Sequence, residues 1–146
     1  IEPMPQERPF TRVIGMLNQA GLRPTRQRLA LARLLFDGAN RHVTAEQLYD
    51  EAVANGVSVS LATVYNTLHR FTAAKVLREV VVEPGRSYFD TNTEEHHHFF
   101  FEDTGEIRDI SSSAVAVTAL PSLPQGTALS RVDVVVRLQG RPVEQK

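Results

Sequence analysis

The sequence predicts an α+β chain: an N-terminal winged helix-turn-helix followed by a small α/β domain. Three observations predict it. Up to about residue 75 apolar residues recur at helical spacing between capping residues and glycines. From Leu77 the period becomes strand-like, in two successive hairpin patterns. The charge also reverses along the chain. Residues 1–89 hold 11 Lys and Arg against 8 Asp and Glu, a net +3; residues 90–146 hold 5 against 9, a net −4. The expected division is 1–90 for the winged helix and 91–146 for the second domain.

The first helix is expected over Pro9–Ala20, apolar at Phe10, Val13, Ile14 and Leu17 and stopped by Gly21. Thr25 N-caps the second, whose broad apolar face runs from Leu29 to Phe36 before Asp37-Gly38. Thr44, with Gln47 three residues on, is a capping-box pattern and opens the third, which ends at Asn55-Gly56. Ser60 caps the fourth, with Val64, Leu68 and Phe71 inside. Leu77–Val82 and Ser87–Asp90 are strands around the turn Glu83-Pro84-Gly85-Arg86. Helices followed by such a hairpin make a winged helix, in which the fourth helix can enter a major groove.

Beyond Asp90 a second hairpin pairs Phe99–Phe101 with Ile107–Ile110. Ser111–Leu120 is expected as a helix stopped by Pro121, and Leu129–Leu138 as a strand with one wet face. So small a sheet buries little apolar area alone and gains stability by pairing with a second copy.

Composition narrows the function. The chain has no cysteine, which excludes disulfides and thiolate zinc. No apolar run approaches the roughly 20 residues that cross a bilayer, and Ile1–Pro9 lacks the pattern of a signal peptide, so no membrane and a cytoplasmic location are expected. Seven arginines and one acid, Asp37, lie between Arg8 and Arg41, a distribution suited to a polyanion such as double-stranded DNA. No nucleophile–base pair and no phosphate-cradling glycine loop is present, so the chain is not expected to be an enzyme, although two histidines and a carboxylate are also the ligands of oxygenase-type iron sites.

Two groups of residues carry chemistry. On the fourth helix Ser60, Thr63, Tyr65, Asn66, Thr67 and Arg70 offer hydroxyl, amide and guanidinium groups to phosphates and base edges, and Arg23, Thr25 and Arg28 lie at the start of the second helix, where an arm can reach backbone or minor groove. The second group is His96-His97-His98. On a strand His96 and His98 share a face and His97 takes the other. Two imidazoles on one face are half a metal site, with His42, Glu83 and Asp109 as candidates to complete it. Imidazole with carboxylate suits a divalent Fe, Mn or Zn ion, and imidazole also ligates haem iron.

From about Ala20 to Leu138 these segments resemble the ferric uptake regulator family. Ala20–Arg28 is similar to its opening motif, His42–Tyr49 to its third-helix signature, Ser60–Leu68 to its recognition helix, and Glu83–Phe89 to its wing and hinge. The resemblance implies an iron-responsive transcription regulator, typically a repressor serving iron homeostasis. It binds promoter DNA as a homodimer through the winged helix and pairs through a C-terminal α/β dimerisation domain. It carries the regulatory metal ligands onto His42, Glu83, His96, His98 and Asp109, the last in place of a usual glutamate. The family's structural cysteine–zinc site is lost, with Phe101 and Thr104 near the expected cysteines, and Arg131 stands where a further ligand is expected. Glu95-His96-His97-His98, with Val59–Leu68 and Phe89–Thr93, is similar to the iron response regulator branch, which senses haem; with no cysteine, haem here would use His96, His97 or His98. The alternative is a Mn(II)- or peroxide-sensing regulator of the same family without haem.

Overall fold

The computed structural model describes residues 11–141 and Val143. The expected positions Pro9 and Phe10 of the first helix lie outside them. The chain forms two compact units, the first ending at Thr93 and the second beginning at Glu94.

The first unit is built from amphipathic helices whose ends obey local chemistry. Helix α1 (Thr11–Gln19) buries Val13 and Leu17. It ends where Gly21 adopts φ 73° and the Leu22 N–H reaches back to the Leu17 carbonyl at 2.8 Å, a closure that a side chain at position 21 would strain. Helix α2 (Arg26–Phe36) is capped by the Thr25 hydroxyl, which accepts from the Arg28 N–H. Helix α3 (Ala45–Ala54) carries the full capping box: the Gln47 N–H donates to Thr44 Oγ1 at 3.1 Å, and the Thr44 N–H to Gln47 Oε1 at 3.0 Å. Helix α4 (Leu61–Ala73) is capped by Ser60. Their apolar stripes meet in one core that includes Leu17, Leu31, Leu35, Leu48, Val64, Leu68 and Phe71.

A three-stranded antiparallel sheet completes this unit, in the order β1 (His42–Val43), β3 (Arg86–Asp90), β2 (Arg78–Glu83). The β2–β3 hairpin turns at Gly85, with φ 74°. Strand β1 was not expected. Two residues cannot display a period, yet they fix His42 opposite Asp90 and Val43 opposite Phe89.

In the second unit β4 (His96–Phe101) is central, antiparallel to β5 (Ile107–Ser111) on one side and parallel to β6 (Val135–Leu138) on the other. The helix expected over Ser111–Leu120 is a single 3-10 turn at Ser112–Ala114. Val115 and Val117 alternate with Ala116 and Thr118, so no helical stripe is available, and β-branching lowers the helical preference further. Residues 115–134 carry neither helix nor strand, and Val117, Leu120, Leu123 and Leu129 are exposed. The expected strand Leu129–Leu138 is therefore shortened to its last four residues. No helix among the described residues is long and apolar enough to cross a membrane.

Candidate metal centre and nucleic-acid interface

Each unit gathers its own set of imidazole and carboxylate donors. In the second unit the β4–β5 register sets His98 opposite Asp109 and His96 opposite Ser111. Strand alternation turns His96 and His98 to one face, with ring centroids 4.5 Å apart. Nε2 of His96 and Nε2 of His98 each lie 3.4 Å from the same oxygen, Oδ1 of Asp109. Two donors held about 2.1 Å from one ion at a tetrahedral angle are themselves about 3.4 Å apart, so this spacing fits a first-row metal. The histidines are 5% and 2% exposed, whereas the Asp109 side chain is 47% exposed. The carboxylate is therefore the side from which an ion or water can approach.

Hydrogen bonds separate the roles of the three consecutive histidines. Nδ1 of His96 lies 2.6 Å from the Glu94 carbonyl, which only accepts, so Nδ1 carries the proton and Nε2 presents its lone pair to a metal. His97 is the reverse. Its Nδ1 accepts the Val134 N–H at 3.2 Å, which places the proton of the neutral ring on Nε2. His97 is 4% exposed and ties β4 to the chain entering β6. Haem was expected to use His96, His97 or His98. All three are buried, and an iron porphyrin needs an open face beside its axial imidazole, so haem ligation here requires strand β4 to be uncovered.

In the first unit His42 Nε2 lies 3.1 Å from Asp90 Oδ2, a consequence of their cross-strand pairing. Asp90 is 1% exposed, and its other oxygen accepts the Asn92 N–H at 2.9 Å, which aims Oδ2 at the imidazole. Asp90 is the donor that sequence reasoning missed; its signal lay in the pairing of a two-residue strand. Glu83, expected beside His42, is not brought there. It pairs with Arg86 at the turn end of the hairpin, while β1 joins β3 at the opposite end. Arg86 and Asp90 are four residue steps apart along β3, roughly 13 Å at strand rise.

The expected nucleic-acid contacts divide likewise. Asn66 and Arg70 are exposed on α4, with Arg70 Nε donating to Asn66 Oδ1 at 3.3 Å. Ser60 is exposed but engaged as a cap, accepting the Thr63 N–H and bonding the Thr63 hydroxyl at 2.9 Å. Tyr65 is half-buried and donates to Glu46 on α3. Thr67 is the correction: it is 4% exposed, because it lies on the inward face with Val64, Leu68 and Phe71. At the start of α2, Arg23 is exposed, Thr25 is engaged as the cap, and the Arg28 guanidinium donates to the Arg23 carbonyl at 2.9 Å.

Comparison with known proteins finds relatives in sequence and in fold. Over 96 residues the chain is 35% identical to the peroxide-responsive repressor PerR of Staphylococcus aureus, covering 66% of this chain and 64% of that protein's length. The ferric uptake regulator of Vibrio cholerae superposes with a TM-score of 0.67 at 26% identity, over 86% of this chain and 97% of that one. The manganese-bound ferric uptake regulator of Pseudomonas aeruginosa superposes with the same score at 24% identity, over 88% and 98%, a likeness of fold. The sequence pattern of one family runs through residues 19–135, from the end of α1 to the start of β6. With most of its length inside that pattern, this chain belongs to the ferric uptake regulator family.

Proposed function

We propose that the protein is a metal-responsive transcription regulator that binds promoter DNA as a homodimer and has no enzymatic activity. The observation that carries this reading is the convergence of His96 and His98 on one oxygen of Asp109, at 3.4 Å each. Nitrogen and oxygen donors without sulfur favour divalent Fe, Mn or Zn. These residues would hold the ion, which supplies a fixed positive charge and bond directions that order its ligands. His42 and Asp90 are the first unit's own candidate donors, held opposite each other by the pairing of β1 with β3. Metal occupancy would then bias the part of the chain that meets DNA, where α4 is the recognition helix and β2–β3 the wing. The exposed apolar residues Val117, Leu120, Leu123 and Leu129 support pairing of the second domain with another copy.

Iron is the effector that the family name favours. The 35% identity to a peroxide-responsive repressor favours the second reading, a Mn(II)- or peroxide-sensing regulator. A gel-shift series on promoter fragments with Mn(II), Mn(II) plus peroxide, and hemin separates them. Binding that needs Mn(II) and ignores hemin supports a metal sensor, loss with hemin the haem-sensing branch, and binding indifferent to every addition refutes metal control.

A further inference from the structure

Resting on the reading of α4 as the helix that meets DNA, we propose that Glu46 and Tyr65 form a base-reading pair that selects the amino group of a cytosine in the major groove.

The pair spans two helices. The Tyr65 hydroxyl donates to Glu46 Oε1 at 2.6 Å, although the residues are 19 apart in sequence. Glu46 is exposed in the first turn of α3, and Tyr65 is half-buried on the flank of α4. Both border a cavity of about 580 Å³ between the start of α3, α4 and the hairpin, which His69 and Arg86 also line. Tyr65 and His69 stack along this flank with centroids 6.3 Å apart, so the phenol ring is braced from one side and its oxygen from the other. Ala62, one turn earlier on α4, is exposed and leaves only a methyl group near the approach.

A phenol has one proton, and Tyr65 has given it to Glu46. What both side chains still offer is lone pairs. Phosphate oxygens are acceptors too, so the pair does not fit the backbone, which is where a tyrosine hydroxyl would otherwise bind. The base edges then sort by chemistry. Guanine presents two acceptors, and thymine an acceptor and a methyl group. Adenine presents its amino donor beside the N7 acceptor, which would face the carboxylate. Cytosine presents its N4 amino donor with no acceptor beside it on that edge, and a carboxylate accepting from it is the matching contact. Glu46 is thus a specificity-determining residue that also fixes the polarity of Tyr65.

The test is selection of a randomised duplex library by the full chain with Mn(II), run beside Glu46→Gln and Tyr65→Phe, with thermal midpoints measured for all three. The parent should enrich cytosine at one position of its site, with a preference of about 5- to 150-fold, that of one good base-edge contact. Glu46→Gln should move this preference to adenine, because an amide offers the donor and acceptor that match N6 and N7. Tyr65→Phe should erase the preference there and keep the others. An unchanged preference at every position in Glu46→Gln overturns the proposal. So does equal tightening on all sequences, which would mean that Glu46 only repels phosphate. If the parent enriches no sequence at all, the DNA-binding reading itself falls, an outcome distinct from an unchanged motif.

Discussion

Arg41 and Glu51 form a two-pronged ion pair that anchors the strand carrying His42 to helix α3. The two guanidinium nitrogens meet the two carboxylate oxygens, and one of them also donates to the Leu34 carbonyl near the end of α2 at 3.1 Å. The Arg41 N–H donates to Thr91 Oγ1, and the Thr91 N–H to the Arg41 carbonyl, beside Asp90. One residue therefore fastens the His42–Asp90 pair to two helices. Hydrogen bonding to Glu51 holds the guanidinium pKa above its ordinary value against the opposing effect of burial.

Arg41→Ala should lower stability by about 1–2 kcal/mol, the range for charged hydrogen bonds reduced because both side chains are about one-third exposed. Arg41→Lys should recover only part of it, since an ammonium cannot match both oxygens in a fork. Urea unfolding of the three proteins measures this, and full recovery by lysine would show that charge alone matters.

Asp90→Asn keeps the oxygen that accepts from Asn92 but removes the charge facing His42. Affinity for Mn(II) should fall by about 10- to 100-fold. Glu83→Gln, at the far end of the hairpin, should leave it unchanged. Competition with a metal indicator gives both values, and the opposite ranking would restore Glu83 as the ligand.

The α4 substitutions should separate folding from recognition. Asn66→Ala should weaken specific DNA binding by about 1–3 kcal/mol at unchanged thermal midpoint, while Arg70→Ala should weaken all sequences alike and reduce the salt slope by about one. Thr67→Val acts inside the core and should change the midpoint while leaving the affinity of the folded protein for DNA intact.

The Tyr65 phenol should titrate above its ordinary value of 10.0, because its hydrogen bond to the Glu46 carboxylate favours the protonated form. A raised value means that the contribution of this bond is complete below the ordinary phenol pKa and disappears as pH rises through the raised one. It is therefore intact at neutral pH. Tyrosinate absorbance followed against pH should show this phenol move down in Glu46→Gln.

Much of this was legible in the sequence because it is local. Thr25, Thr44 and Ser60 each cap the helix that follows, and a cap needs only its own first turn. Strand alternation alone separates His97 from His96 and His98. What was not legible depends on contacts between distant segments. Asp90 becomes a partner of His42 only through pairing 48 residues apart in a two-residue strand. Thr67 looks like its polar neighbours until the orientation of α4 turns it inward. The helix expected after Ser111 failed because a good cap does not compensate for β-branched residues without an apolar stripe.

The most direct test of the central claim is the affinity of the full chain for its selected duplex, measured by fluorescence anisotropy with chelator and with saturating Mn(II), in the parent and in His96→Ala. If metal held by the His96–His98–Asp109 set controls DNA binding, Mn(II) should change the parent's affinity by about 5- to 150-fold, and the variant should bind equally with and without it. Equal affinity of the parent in chelator and in Mn(II) would contradict the account.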